Sequence, residues 1–148
     1  MKQQDKTLMM LIGDVHRQFG HKIRELEKKN GLGPCSGSIL MELSKNDSLT
    51  QVELVERIHM RPSSISVALQ KMEQDGLIER KVKDDDQRCS IVCITDQGVK
   101  IHNEMKQCIF SMDNFYTKQL NHSDLENVKK VLIELSDILK KGDNNENI

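Results

Sequence analysis

An aspartate and an arginine lie two residues apart in the charged segment RKVKDDDQRCSIVCIT, residues 80–95. The carboxylate of Asp86 can hold the guanidinium of Arg88 in one orientation, because arginine pairs bidentately with carboxylates. An oriented arginine at the tip of a hairpin suits the minor groove of DNA, where a narrow groove concentrates negative potential. Asp84 and Asp85 oppose this interpretation, since they add negative charge. The alternative is that the charged tip only protects an exposed sheet edge.

A second set of candidate residues lies in the segment RPSSISVALQKMEQDG, which starts at Arg61. Its serines are compact and reach phosphates or base edges, and Gln70 can pair bidentately with adenine. The alternative is an ordinary amphipathic helix with a solvated polar face. The candidate DNA-binding residues of this helix and the charged hairpin are Arg61, Pro62, Ser63, Ser64, Ser66, Val67, Gln70, Lys71, Arg80, Lys83, Asp86 and Arg88.

The amino-terminal half of the chain is predicted to be helical. Apolar residues at spacings of three and four indicate a long helix over residues 5–30. A shorter helix is expected over residues 36–45, and another begins at the capping box of Thr50 and Glu53. The next helix starts at Pro62 after a tight turn, so these last two helices form a helix-turn-helix pattern.

The carboxyl-terminal half is predicted to hold a hairpin and two longer helices. The β-forming segments LIERKV and CSIVCIT flank KDDDQ and indicate a two-stranded hairpin, called the wing below. A long helix capped by Thr95 is expected to run to about residue 119. A last amphipathic helix is expected behind a capping box of Ser123 and Glu126. The predicted fold is therefore mainly α with a small β-hairpin wing, a winged helix-turn-helix with terminal dimerisation helices.

The domain organisation follows from this order of elements. Residues 36–95 are predicted to form the winged helix-turn-helix DNA-binding domain. Residues 5–30 and 96–141 are predicted to form a helical dimerisation region, and residues 142–148 a disordered tail. A first helix roughly 35–40 Å long and a wide apolar stripe on the last helix exceed what one chain can cover. We expect a two-fold homodimer; the alternative is a monomer whose terminal helices pack on each other.

The composition excludes several functional classes. The 148 residues carry a formal net charge of −1, so a DNA-binding surface has to arise from local patterning. There is no run of about 18 apolar residues and no signal-peptide core, so we expect a cytoplasmic protein without a membrane span. The four cysteines form no C-x-x-C pair, and the histidines have no metal-ligand spacing, which favours neither a metal nor a cofactor. No catalytic motif indicates an enzyme.

The segment LTQVELVERIHMRPSSISVALQKMEQDGLIERKVKDDDQRCSIVCITDQG, residues 49–98, resembles the winged helix of the multiple-antibiotic-resistance regulator (MarR) family. The resemblance is carried by LTQVEL, by SSISVALQKMEQDGLIER, by the D-x-R wing DDDQR and by ITDQG. It implies a homodimeric transcriptional regulator, usually a repressor, on a pseudo-palindromic operator. It also implies a recognition helix in the major groove, Arg88 in the minor groove, and a dimer interface built from the terminal helices.

The resemblance further implies release from DNA by a small-molecule effector or by thiol oxidation. A pocket of the family type would lie between the first two helices and the helix after the wing, where the candidate lining residues are His16, Phe19, Met41 and Met105; each is also a plausible core residue. Cys35 is the candidate redox thiol, since a helix N-terminus can lower a thiol pKa. Cys108 is expected in the core.

One rival function from a different class stays open. A winged-helix module can serve protein–protein contacts without specific DNA binding. From Arg57 to Arg88 seven Lys/Arg residues face six Asp/Glu residues, a surplus of only one. The wing arginine oriented by Asp86 favours DNA, because a module that binds only proteins has no need of it.

Overall fold

The computed structural model describes the backbone of residues 5–83 and 86–142, and side chains except those of residues 82–89. The fold class is the predicted one, mainly helical with a small antiparallel sheet. The described chain divides into two compact units, Met1–Gln107 and Cys108–Ile148. The helices are α1 Leu8–Lys29, α2 Ser36–Lys45, α3 Gln51–Ile58, α4 Pro62–Gln74, α5 Asp96–Thr117 and α6 His122–Gly142; the strands are β1 Leu49–Thr50, β2 Ile78–Lys83 and β3 Asp86–Ile94.

The wing belongs to a three-stranded sheet of order β1-β3-β2, so the predicted two-stranded hairpin is incomplete. Leu49 pairs with Val92 and Thr50 with Ile91, which adds β1 to the outer edge of β3. A two-residue strand is too short to give an alternating pattern, and this explains why the sequence did not indicate it. Strand β2 has the six residues of LIERKV shifted by one position, and β3 has nine residues against the seven of CSIVCIT. The register between the two strands is irregular between Val82 and Lys83.

The core of the first unit is formed by the helices of the winged helix and by the sheet. Apolar side chains from every described helix and strand between residues 36 and 94 meet there, together with Met105 of α5. The largest side chains that are almost fully buried are Ile39, Leu40, Leu43, Leu54, Ile65, Leu69, Met72 and Val92. This core holds α4 rigidly by one face.

Helix caps define most of the predicted boundaries. The side chain of Thr7 accepts a hydrogen bond from Met10 N, so α1 begins at Leu8 and not at residue 5. The capping box of Thr50 and Glu53 is present, with reciprocal hydrogen bonds at 3.2 and 2.7 Å. Gly31 has a φ of 71°, a left-handed conformation that favours glycine just after α1.

The predicted capping box of Ser123 and Glu126 is wrong. Helix α6 begins at His122, and the side-chain oxygen of Asn121 accepts a hydrogen bond from Ser123 N at 2.9 Å. The carbonyl oxygen of Asn121 also accepts the first helical bond, from Leu125 N. Asparagine caps a helix as well as serine does, and here its position two residues earlier satisfies the first free N–H groups.

The start of α5 is fastened to the turn between α4 and β2. Thr95 Oγ1 accepts a hydrogen bond from Gly98 N at 3.1 Å, which confirms Thr95 as the cap, and donates one to Gly76 O at 2.6 Å. Thr95 N also donates to Leu77 O. Gly98 packs so closely that a Cβ atom there would lie 2.1 Å from Leu77 O. The ITDQG motif therefore fixes the wing and α5 against the end of α4.

A buried glutamate connects α1 to α2. Cys35, at the N-cap of α2, makes no side-chain capping bond. Instead Glu27 Oε1 accepts a hydrogen bond from Gly37 N at 2.9 Å, and Glu27 is only 5% exposed. Burial raises the pKa of Glu27, and the Gly37 hydrogen bond and the charge of Arg24 act in the opposite direction. The carboxyl group thus serves as a cap supplied by another helix.

Candidate nucleic-acid interface

Helix α4 has one face in the core and the opposite face in solvent. Ile65, Leu69 and Met72 are almost fully buried, as their period predicts. The opposite side, called the outward face of α4 below, consists of exposed residues at spacings of four, three and four: Ser63, Val67, Gln70 and Gln74. None of these four side chains is charged, and the exposed side chain of Lys71 borders the face one turn after Val67.

Gln74 is an exposed residue of this face that sequence reasoning missed. It lies four residues after Gln70, so the two amides share one side of the helix. The spacing alone could have identified it. Ser66 is exposed on the flank of the outward face, and Ser64 is half-buried on the other flank.

The turn before α4 is short. His59 adopts a left-handed conformation with φ 55°, and it ends α3. Arg61 is extended and exposed, and its carbonyl oxygen accepts the first hydrogen bonds of α4 from Ser64 N and Ile65 N. Pro62 occupies the first turn, as predicted. Arg61 has no ion-pair partner within 4 Å among the residues that the structure describes, which leaves its charge available to a phosphate.

Other basic residues near α4 are paired with carboxylates. Lys71 Nζ lies 2.9 Å from Asp75 Oδ2. Arg80 Nε lies 3.4 Å from Glu73 Oε2, and this nitrogen is buried without a hydrogen bond in the described part of the chain. These pairs offset much of the positive charge of two candidate DNA-binding residues.

Lys81 is paired in the same way, with its Nζ 2.7 Å from Glu79 Oε1. The hydrogen bond and the charge of Glu79 raise the pKa of Lys81. The local electrostatic surplus at the base of the wing is therefore small, in agreement with the count of charges in the sequence.

The predicted wing residues are only partly described. The backbone register pairs Lys83 with Asp86, and Arg88 lies in β3. The side chains of Lys83, Asp86 and Arg88 lie outside the described residues, as do Asp84 and Asp85 altogether. The proposed ion pair of Asp86 with Arg88 therefore stays a prediction.

Cys35 lacks the environment of a reactive thiol. It is half-buried at the start of α2, with φ 68°. Burial and, after it, the neighbouring Glu27 carboxylate raise its pKa, whereas a helix N-terminus can lower one. Both effects oppose the thiolate, and the redox role of Cys35 stays a prediction.

The candidate effector-pocket residues differ in environment. Met105 is buried in the core and Phe19 is half-buried, whereas His16 and Met41 are exposed. Cys108, expected in the core, is exposed. Among the described residues no three His, Cys, Asp or Glu side chains are grouped so that they could hold a metal ion.

Apolar surface remains uncovered on the terminal helices. Met9 of α1 is 81% exposed, and Ile138 and Leu139 of α6 are more than 60% exposed. Within residues 108–142 no side chain is buried. This also explains the exposure of Cys108, which lies on the apolar side of α5. In the described residues none of the helices combines the length and apolar character needed to cross a bilayer.

The central part of the chain matches the model of a known protein family. The MarR family model matches residues 34–90. The HTH-type transcriptional repressor MdtR of Bacillus subtilis (strain 168) is 32% identical over 101 residues. This alignment covers 66% of the present chain and 65% of MdtR, so it spans just under two thirds of that relative.

Solved structures extend the similarity to the whole order of elements. The transcriptional regulator BldR from Sulfolobus solfataricus is 28% identical with a TM-score of 0.77, covering 95% of this chain and 99% of BldR. Wild-type MarR from E. coli in its apo form has a TM-score of 0.81 at 19% identity, covering 88% of this chain and 96% of MarR, which shows the same fold. MdtR and BldR are transcriptional regulators rather than enzymes.

Proposed function

We propose that this chain, as a member of the MarR family of transcriptional regulators with a DNA-binding winged-helix fold, acts as a homodimeric repressor on a pseudo-palindromic operator. In this proposal α4 enters the major groove and Arg88 enters the adjacent minor groove. Double-stranded DNA and a second copy of the chain are its partners. The compartment that holds the DNA, the cytoplasm, is its proposed location.

The outward face of α4 is the observation that carries the proposal. A helix can enter the major groove only if its opposite face is anchored and its exposed side chains are compact. Helix α4 meets both conditions, since Ile65 and Leu69 are fully buried while Ser63 and Gln70 are exposed. Arg61 at the start of the helix is suited to a backbone phosphate.

Dimerisation is supported by the uncovered apolar surface of α6. Leu132 is 44% exposed and Leu135 is half-buried on the same side of the helix. Replacing both with aspartate would place two charges from each subunit in the proposed interface, where unpaired charge is costly. We expect Leu132→Asp with Leu135→Asp to sediment as a monomer and the polar-face control Lys130→Asp as a dimer. A double variant that still sediments as a dimer would place the interface elsewhere.

Repression and its relief by a ligand are inferred from related proteins, and not from the geometry of the candidate DNA-binding surface. The relative MdtR is named as a transcriptional repressor, which supports repression as the sign of regulation. Relief by a small-molecule ligand is carried over from the family resemblance. Loss of operator binding on addition of a ligand would be the direct measurement of such relief.

Selection of binding sites from a random duplex library by the full-length chain tests the proposed function. We expect enrichment of two inverted half-sites with centres about one helical turn, roughly 10 base pairs, apart. Enrichment of single, unpaired half-sites would contradict the dimer. Absence of any enriched sequence would contradict specific DNA recognition.

A winged-helix module for protein–protein contacts is the second candidate function. The pairing of Lys71 with Asp75 and of Arg80 with Glu73 favours it, because it leaves little positive charge for phosphates. Such a module would show no sequence enrichment in the selection and only weak, salt-sensitive binding to any DNA.

A further inference from the structure

Val67 is an apolar side chain at the centre of an otherwise polar face. It is 69% exposed and lies between Ser63 and Gln70 on the outward face of α4. A single exposed valine on a protein surface needs no explanation by itself. Here it lies on the exposed side of the helix proposed to enter the major groove, opposite the buried stripe of Ile65, Leu69 and Met72, so in that proposal it meets the bases.

The neighbours of Val67 restrict what it can contact. Ser63 lies one turn before it, and Gln70 follows about 4.5 Å further along the helix axis. This distance is close to one base-pair step of about 3.4 Å. The flanking side chains carry hydrogen-bonding groups, whereas the valine has only methyl groups. Its partner therefore has to be apolar, and the apolar group on the major-groove edge of a base pair is the C5 methyl of thymine.

We propose that Val67 contacts the C5 methyl group of a thymine in each half-site, within one or two base pairs of the base contacted by Gln70. The inference rests on the proposed function and adds to it a specificity-determining contact. It assigns to α4 a preference that serine and glutamine do not supply, since their hydroxyl and amide groups accept several hydrogen-bonding partners.

The test replaces single thymines of the selected operator with deoxyuridine, which lacks only the methyl group. Affinity is measured for the full-length chain, for Val67→Ala and for the control Val99→Ala, an exposed valine of α5. Loss of one contacted methyl should weaken binding of the unmodified chain about fourfold. Folding should be intact in Val67→Ala, because the side chain is exposed and alanine favours helix.

The expected result is one sensitive thymine in each half-site for the unmodified chain and for Val99→Ala, with no loss at that thymine for Val67→Ala. If no deoxyuridine replacement changes the affinity of the unmodified chain, the proposed contact is overturned, and specific binding to the operator is not affected. An equal loss in Val67→Ala at the same thymine would assign the methyl to another residue. Failure to select any operator would remove both the proposed function and this contact.

Discussion

Replacing Glu27 separates the hydrogen-bonding role of this carboxyl group from the effect of its charge. Its Oε1 accepts the Gly37 N–H at the start of α2, where Cys35 supplies no side-chain cap. Glu27→Ala leaves that partly buried N–H unpaired, which should lower the free energy of unfolding by about 1–2 kcal/mol. Glu27→Gln keeps an acceptor oxygen of the same reach and removes the charge.

The sign of the pH dependence follows from the raised pKa of Glu27. Burial favours the protonated carboxyl in the folded state, so the group contributes stability below its unfolded pKa and loses that contribution as pH rises through its folded pKa. The ionised form at neutral pH therefore opposes folding relative to a neutral amide. We expect Glu27→Gln to be at least as stable as the unmodified chain at neutral pH, with an advantage that shrinks in mild acid.

Urea unfolding followed by circular dichroism measures both effects. The three proteins are compared at one protein concentration, at neutral pH and in mild acid. The other carboxylates titrate in both proteins, so their contribution drops out of the difference in free energy of unfolding between Glu27→Gln and the unmodified chain. If Glu27→Gln loses as much stability at neutral pH as Glu27→Ala, the charge stabilises the cap and the reasoning is refuted.

Two further predictions concern the wing and its support. Gly98→Ala would place a Cβ atom 2.1 Å from Leu77 O, so we expect it to lower the free energy of unfolding by about 1–3 kcal/mol. The control Gly13→Ala, inside α1, should be neutral or stabilising by about 0.5–1 kcal/mol. Equal urea midpoints for the two variants would contradict the close packing at Gly98. Arg88→Ala should weaken specific DNA binding by about 1–3 kcal/mol in fluorescence anisotropy, with less effect on scrambled DNA, and unchanged affinity would remove the wing from the interface.

The parts of the fold that depend on neighbouring residues were predictable from the sequence. The capping box of Thr50 and Glu53 and the cap at Thr95 follow from side chains that bond to backbone groups within three residues. The start of α4 follows from Pro62, whose fixed φ suits the first turn of a helix. The inward face of α4 was predictable from local sequence as well, because apolar residues at spacings of three and four define its buried stripe. At the start of α6 the residue type could not show whether Asn121 or Ser123 is the cap, since asparagine and serine both cap helices.

Contacts between segments that are far apart in the sequence could not be predicted from local residue patterns. Thr95 Oγ1 bonds to Gly76 O across 19 residues, and Glu27 caps a helix 10 residues away. Neither bond has a spacing pattern that a sequence can display. The pairing of Arg80 with Glu73 likewise joins a strand to a helix, so a residue predicted to bind DNA already has a carboxylate partner. The compact polar face of the candidate site was predictable, whereas the electrostatic balance around it required the tertiary fold.

The ratio of affinities for the selected operator and for a scrambled duplex tests the central claim most directly. Fluorescence anisotropy titrations of the full-length chain at low and at physiological salt would measure it. Specific recognition by α4 and the wing predicts an operator preference of at least about a thousandfold at physiological salt, with binding to both duplexes weakening as salt rises. Equal, weak binding to both duplexes that disappears at physiological salt would contradict the account and favour a protein partner for the winged helix.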